Sequence, residues 1–77
     1  MSENPLFKSL IDRWPSPIVC RGEVEKFTGG AIKSAYLANL DSIGSGPAGR
    51  MRIGRKICYP TVELVRWLEK RTIKLDE

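Results

Sequence analysis

The stretch Arg50-Met51-Arg52-Ile53-Gly54-Arg55-Lys56-Ile57-Cys58-Tyr59 decides how this chain folds. Met51 and Ile53 alternate with arginines, the two-residue period of a half-buried strand. A second apolar run, Ile57-Cys58-Tyr59, follows Gly54-Arg55-Lys56, so the segment predicts a β-hairpin. Two loops compete. A three-residue loop, 54–56, sets Ile53 opposite Ile57 and Met51 opposite Tyr59, with both apolar pairs on one face. A two-residue loop, Gly54-Arg55, suits type II′ turn chemistry but pairs Ile53 with Lys56. Burial of the apolar pairs favours the longer loop. With Met51 and Ile53 inward, Arg50 and Arg52 point outward together, and Arg55 and Lys56 stand at the tip.

The hairpin also holds the net charge. No acidic residue lies between Ser42 and Val62, whereas Arg50, Arg52, Arg55 and Lys56 all do. The chain of 77 residues carries +4 overall, because its other nine basic residues balance its nine acidic ones. Such a basic projection favours an anionic partner, nucleic acid or an acidic membrane surface. Outward arginines on a strand also guard an edge and keep a protein soluble. The elements before the hairpin therefore carry the decision.

Upstream, residues 22–28 read as a short helix with Val24 and Phe27 inward. Thr28-Gly29-Gly30 then breaks it, with two glycines suited to a tight turn of positive φ. From Ala31 to about Leu40 the pattern is helical again. Ile32, Ala35, Tyr36 and Leu40 line one side, and Lys33, Ser34 and Leu37 the other; for Tyr36 a place in the core is favoured over a base contact. Ile18-Val19-Cys20 predicts a stub of strand. Residues 4–14 predict a first helix, capped by Asn4, with Pro5 at its first position and one stripe of Leu6, Phe7, Leu10, Ile11 and Trp14. Pro15 and Pro17 stop it. The stripe suits core cover better than a dimer interface, because a chain this short has little area to bury. Residues 41–49 form a loop by composition. Residues 61–71 close the fold as a helix capped by Thr61, with Leu64, Trp67 and Leu68 inward, and the last six residues fray. The expected architecture is one α+β domain over 1–77, mainly helical. It is a small winged helix-turn-helix core over 18–70, with a two-stranded basic wing and a C-terminal helix, preceded by an extra amphipathic helix over 1–15.

Two short helices across a glycine turn, followed by a basic hairpin, match a known way of gripping duplex DNA. The second helix enters the major groove, N-terminal residues first. Here that end offers Gly30, Lys33 and Ser34 after Thr28, with Leu37 one turn on, and its amides can bind a phosphate. The arginines of the hairpin would track the backbone or enter a narrow minor groove. The expected DNA-binding residues are thus Thr28, Gly30, Lys33, Ser34, Leu37, Arg50, Arg52, Arg55 and Lys56.

Arg52-Ile53-Gly54-Arg55-Lys56-Ile57, then Tyr59, Leu64 and Trp67-Leu68, resemble the wing, aromatic residue and closing helix of the AlpA/excisionase-type proteins, relatives of the MerR-like winged helix-turn-helix. Upstream, Glu23-Val24 and Phe27-Thr28-Gly29 are similar to that family's first helix and turn. The resemblance spans roughly residues 18–70. It implies a transcriptional regulator of a prophage or mobile element, or an excisionase-like architectural factor assisting a recombinase. Homodimer pairing on DNA stays open. The alternative reading is a small adaptor that docks its N-terminal helix on a recombinase or RNA polymerase.

Other classes find little support. The sequence holds no histidine, and its two cysteines stand outside any CxxC, so no metal site is expected. No nucleophile is paired with a base, and Gly44-Ser45-Gly46 lacks the Lys-Ser/Thr that completes a phosphate-binding loop. The expectation is a non-enzyme without cofactor. No signal peptide or membrane span is evident, which predicts a cytoplasmic protein with Cys20 and Cys58 as buried thiols.

Overall fold

The computed structural model describes residues 5–73 and Leu75. The chain runs through α1 (Pro5–Arg13), β1 (Ile18–Cys20), a 3-10 turn (Arg21–Glu23), α2 (Val24–Phe27), α3 (Ser34–Ser42), β2 (Met51–Ile53), β3 (Lys56–Pro60) and α4 (Thr61–Arg71). Among the described residues this is a small α+β fold of four α-helices and one three-stranded antiparallel sheet, ordered β1-β3-β2. The stub of strand expected at 18–20 is therefore a full partner, which leaves β3 in the centre of the sheet. No helix among the described residues is long and apolar enough to cross a membrane.

The sheet fixes its own register. Val19 faces Tyr59 and Cys20 faces Cys58 across β1 and β3, while Met51 faces Cys58 and Ile53 faces Lys56 across β2 and β3. The hairpin loop is thus Gly54-Arg55, not the three-residue loop that burial of Ile53 favoured. Gly54 has φ +63°, and among the described residues no non-glycine residue, Arg55 included, has positive φ, the signature of a type II′ turn. Its backbone twist matches the twist of the strands. Shifting the pairing by one residue would turn every side chain of β2 over. The consequence is that Ile53 stays 52% exposed, and Met51 joins Cys58 and Cys20 on one face. Arg52 lies opposite Ile57, on the Tyr59 face.

The core gathers one to three side chains from almost every element. Val19, Val24, Phe27, Leu37, Tyr59 and Leu64 are buried together with Val65 and Trp67 of α4. The inward positions expected for Val24, Phe27, Leu64 and Trp67 hold; Val65 adds a residue that the i, i+3, i+4 pattern left out. From α1, Phe7 is 6% exposed, and Leu10 and Trp14 pack against the same cluster. Burying Phe7 contributes about 1.5–3 kcal/mol. The expected apolar stripe divides, because Leu6 (59%) and Ile11 (37%) face outward. The Trp14 ring meets Phe27 edge-on at 5.2 Å, and its indole N–H donates to the Ile18 carbonyl at 2.8 Å.

One of the two expected caps changes, and the other is not described. Asn4 lies outside the described residues. Thr61 is the first residue of α4 rather than its cap: its amide donates to the Pro17 carbonyl at 2.8 Å and its hydroxyl to the Ser16 carbonyl at 2.9 Å. These bonds tie α4 to the proline segment after α1. Of the C-terminal residues expected to fray, Ile73 and Leu75 are exposed, and 74, 76 and 77 lie outside the described residues.

Candidate nucleic-acid interface

The turn between α2 and α3 is built by Thr28. Its hydroxyl donates to the Val24 carbonyl at 2.9 Å and accepts the Ile32 amide at 3.0 Å, while the Gly30 amide reaches back to the Glu25 carbonyl at 2.7 Å. Gly29 and Gly30 take φ +65° and +92°, as the two glycines led one to expect. Because these bonds hold the chain in a turn as far as Ile32, α3 begins at Ser34 rather than Ala31. Lys33 precedes it in extended backbone.

That delay comes with a partial change in the faces assigned to the helix: Ile32 and Leu40 pack against the core as expected and Lys33 is exposed, but Ala35 lies outward. Leu37, expected outward as a DNA contact, is fully buried, and Tyr36, expected in the core, is 44% exposed. The outward side of α3 carries Ala35, Tyr36, Asn39 and Ser42. Leu37 and Asp41, one helical turn apart, point inward. Arg71 of α4 lies over Trp67, 4.8 Å from its ring, and donates to the Tyr36 hydroxyl at 2.6 Å.

Asp41 accounts for the turning of Leu37 inward and Tyr36 outward. It is a buried carboxylate whose Oδ2 gathers several partners. Arg21 Nη2 donates to its Oδ2 at 2.6 Å, the Tyr59 hydroxyl donates to the same oxygen, and Arg21 Nε donates to the Tyr59 hydroxyl at 3.0 Å. Arg50 of the hairpin approaches that oxygen at 3.8 Å. One side chain of α3 thus holds the 3-10 turn, the central strand and the base of the hairpin. Burial and the Asp41 hydrogen bond push the Tyr59 hydroxyl up to about 12. For Arg21, burial works against the charge, but its hydrogen bonds with Tyr59 and Asp41 outweigh burial and push it up. The loop of residues 43–50 is pinned from the other side, where the Trp67 indole donates to the Ser45 carbonyl at 2.8 Å.

The remaining expected residues are on the surface or beside it. Gly30, Lys33, Arg50, Arg52, Arg55 and Lys56 are exposed, while Thr28 and Ser34 are half-buried. The Ser34 hydroxyl is engaged, donating to the Arg21 carbonyl at 2.9 Å. Arg55 and Lys56 at the hairpin tip share one groove of about 310 Å³ with Ser34, Arg21, Gly22 and Cys20. The first residue of α3 and the tip of the hairpin, 21 positions apart in sequence between Ser34 and Arg55, therefore border the same opening. Among the described residues, Lys33, Arg52, Arg55 and Lys56 make no ion pair. Arg50 is different, being drawn toward Asp41.

Sequence reasoning missed Tyr36 and Asn39 as surface residues of α3, and missed the Arg21–Asp41–Tyr59 cluster altogether. A lone acidic residue at the end of an otherwise uncharged helix was the one available signal. Comparison with protein-family models, curated proteins and solved structures gives no significant match.

Proposed function

We propose that the chain binds double-stranded DNA as a winged helix-turn-helix of the AlpA/excisionase type. In this reading α2, the glycine turn and α3 form the helix-turn-helix, and the β2–β3 hairpin is the wing. The observation that carries the proposal is the shared groove. Cations at the hairpin tip and the leading end of α3 border one opening, so one stretch of backbone can meet both. Lys33, Arg52, Arg55 and Lys56 supply salt-dependent contacts to phosphate, with Thr28, Gly30 and Ser34 forming the close approach. Arg50 positions the base of the wing through Asp41 and adds little direct contact. Leu37 has no place in this interface.

Sequence readout falls to the outward face of α3. Asn39 has the donor–acceptor pair that matches the major-groove edge of adenine, and Tyr36 and Ser42 flank it. The role that follows is regulation or architecture at a DNA site, as in a mobile-element regulator or excision factor.

The test is fluorescence anisotropy with a labelled duplex of arbitrary sequence at low salt. The double variant Arg55→Ala/Lys56→Ala should bind at least about tenfold more weakly, since two phosphate contacts are lost. Unchanged affinity would remove the wing from the interface.

A further inference from the structure

Cys20 and Cys58 play no part in the proposed DNA contacts, yet the fold places them together. They face each other directly across β1 and β3, and their sulfurs are 3.1 Å apart. Both are free thiols. Facing residues of an antiparallel pair have Cα atoms about 4.5 or 5.5 Å apart, depending on their place in the ladder, and both spacings fall within the range a disulfide accepts. Closing the bond requires the sulfurs to approach to about 2.05 Å, a movement of about 1 Å within an intact sheet.

Access is one-sided. Cys58 is 1% exposed, while Cys20 is partly exposed and borders the groove that also holds Arg55 and Lys56. The hydrogen bond with Cys20, and then burial, push the Cys58 thiol up. Cys20 is thus the sulfur that an incoming reagent meets, and the cations beside it favour a reagent that carries negative charge.

We propose that Cys20 and Cys58 form a dithiol site that reacts with small anionic disulfides of the glutathione class and closes to an intramolecular disulfide. The Cys20 thiolate attacks one sulfur of the reagent, forming a mixed disulfide and releasing one small thiol. The Cys58 thiolate then attacks the Cys20 sulfur, the protein disulfide forms, and the second small thiol leaves. The two protein thiols are oxidised by two electrons, the reagent disulfide is reduced by two, and the cysteine protons end on the two released thiols. The bond links β1, which leads into the helices, to the central strand of the hairpin. It would close a loop spanning 38 positions of chain.

The experiment equilibrates the whole protein with glutathione disulfide in excess over glutathione and reads mass, thiol titre under denaturing conditions, and melting temperature. The expected product is a monomer about 2 Da lighter, with no titratable thiol. Its melting temperature should be raised by about 10 °C or more, because the cross-link restricts the unfolded chain. Cys58→Ser should stop at a single glutathione adduct on Cys20, and Cys20→Ser should take no adduct while folded. Two titratable thiols in the treated wild type, disulfide-linked dimers, or a wild type that stops at the mixed disulfide would each overturn the site. None of these readings involves DNA, so the site stands or falls apart from the proposed binding.

Discussion

Replacing Tyr59 with phenylalanine removes one oxygen from the most buried polar cluster and leaves its ring in place. The ring is fully buried, so its apolar contacts survive, and the loss is confined to hydrogen bonding. The hydroxyl donates to the Asp41 carboxylate and accepts from Arg21 Nε. A hydrogen bond to a charged group contributes about 1.5–3 kcal/mol. Arg21 has 26% of its side chain in solvent and can recover its lost bond from water, so only the Asp41 bond is counted. The expected loss is about 2 kcal/mol, which in a domain of this size lowers the melting temperature by about 8–16 °C. Thermal melts followed by circular dichroism measure it. Combining Tyr59→Phe with Asp41→Asn in a double-mutant cycle should return a coupling of about 1–3 kcal/mol. A Tyr59→Phe protein that melts within about 2 °C of wild type, or a cycle with no coupling, would refute the reasoning. The pH dependence adds an independent check. The folded-state value of Tyr59, about 12, lies above its ordinary 10.0. The hydroxyl's contribution is therefore fully present below about pH 10 and is lost as pH rises toward about 12, because the unfolded chain releases that proton first. Tyr59→Phe should lack that part of the alkaline loss.

Two further outcomes follow from the same region. Gly46 lies under Asp41, and a Cβ added there would sit 1.8 Å from Asp41 Oδ1; Gly46→Ala should destabilise by about 1–3 kcal/mol in urea melts, as overpacked sites do. Asn39→Ala should leave stability within about 0.5 kcal/mol of wild type, since Asn39 is an exposed residue of α3. Once a cognate site is identified, that variant should lose about 1–3 kcal/mol of preference for it over random duplex, and an unchanged preference would remove Asn39 from readout.

The helices with clean apolar spacing could be read from the sequence. Residues 61–71 form α4 as expected, and α1 falls within a residue of its predicted limits because prolines bracket it. The glycine turn was also legible, since Gly29-Gly30 has few other uses. The phase of α3 was not. Composition placed Asp41 in a loop over 41–49, but α3 runs on to Ser42, and Arg21 and Tyr59, 20 and 18 positions away, make Asp41 a core residue. Burying Asp41 brings Leu37 inward with it and turns Tyr36 out. The hairpin register failed for a related reason: burial of the apolar pairs was preferred to the type II′ chemistry of Gly54-Arg55, and the turn at Gly54 decided the pairing. Of the candidate site, the hairpin cations could be named in advance; their meeting with Ser34 depended on the sheet that β1 completes.

DNA binding is tested most directly by the salt dependence of the affinity for duplex DNA. Four surface cations, Lys33, Arg52, Arg55 and Lys56, make no ion pair among the described residues. If each meets one phosphate, log affinity should fall against log salt with a slope of about −3.6, a loss of about 150-fold between about 50 and 200 mM. Arg50→Ala should leave that slope nearly unchanged, and Arg55→Ala/Lys56→Ala should reduce its magnitude by about 1.8. Absence of binding at low salt, or binding whose affinity does not respond to salt, would contradict the assignment of this surface to DNA.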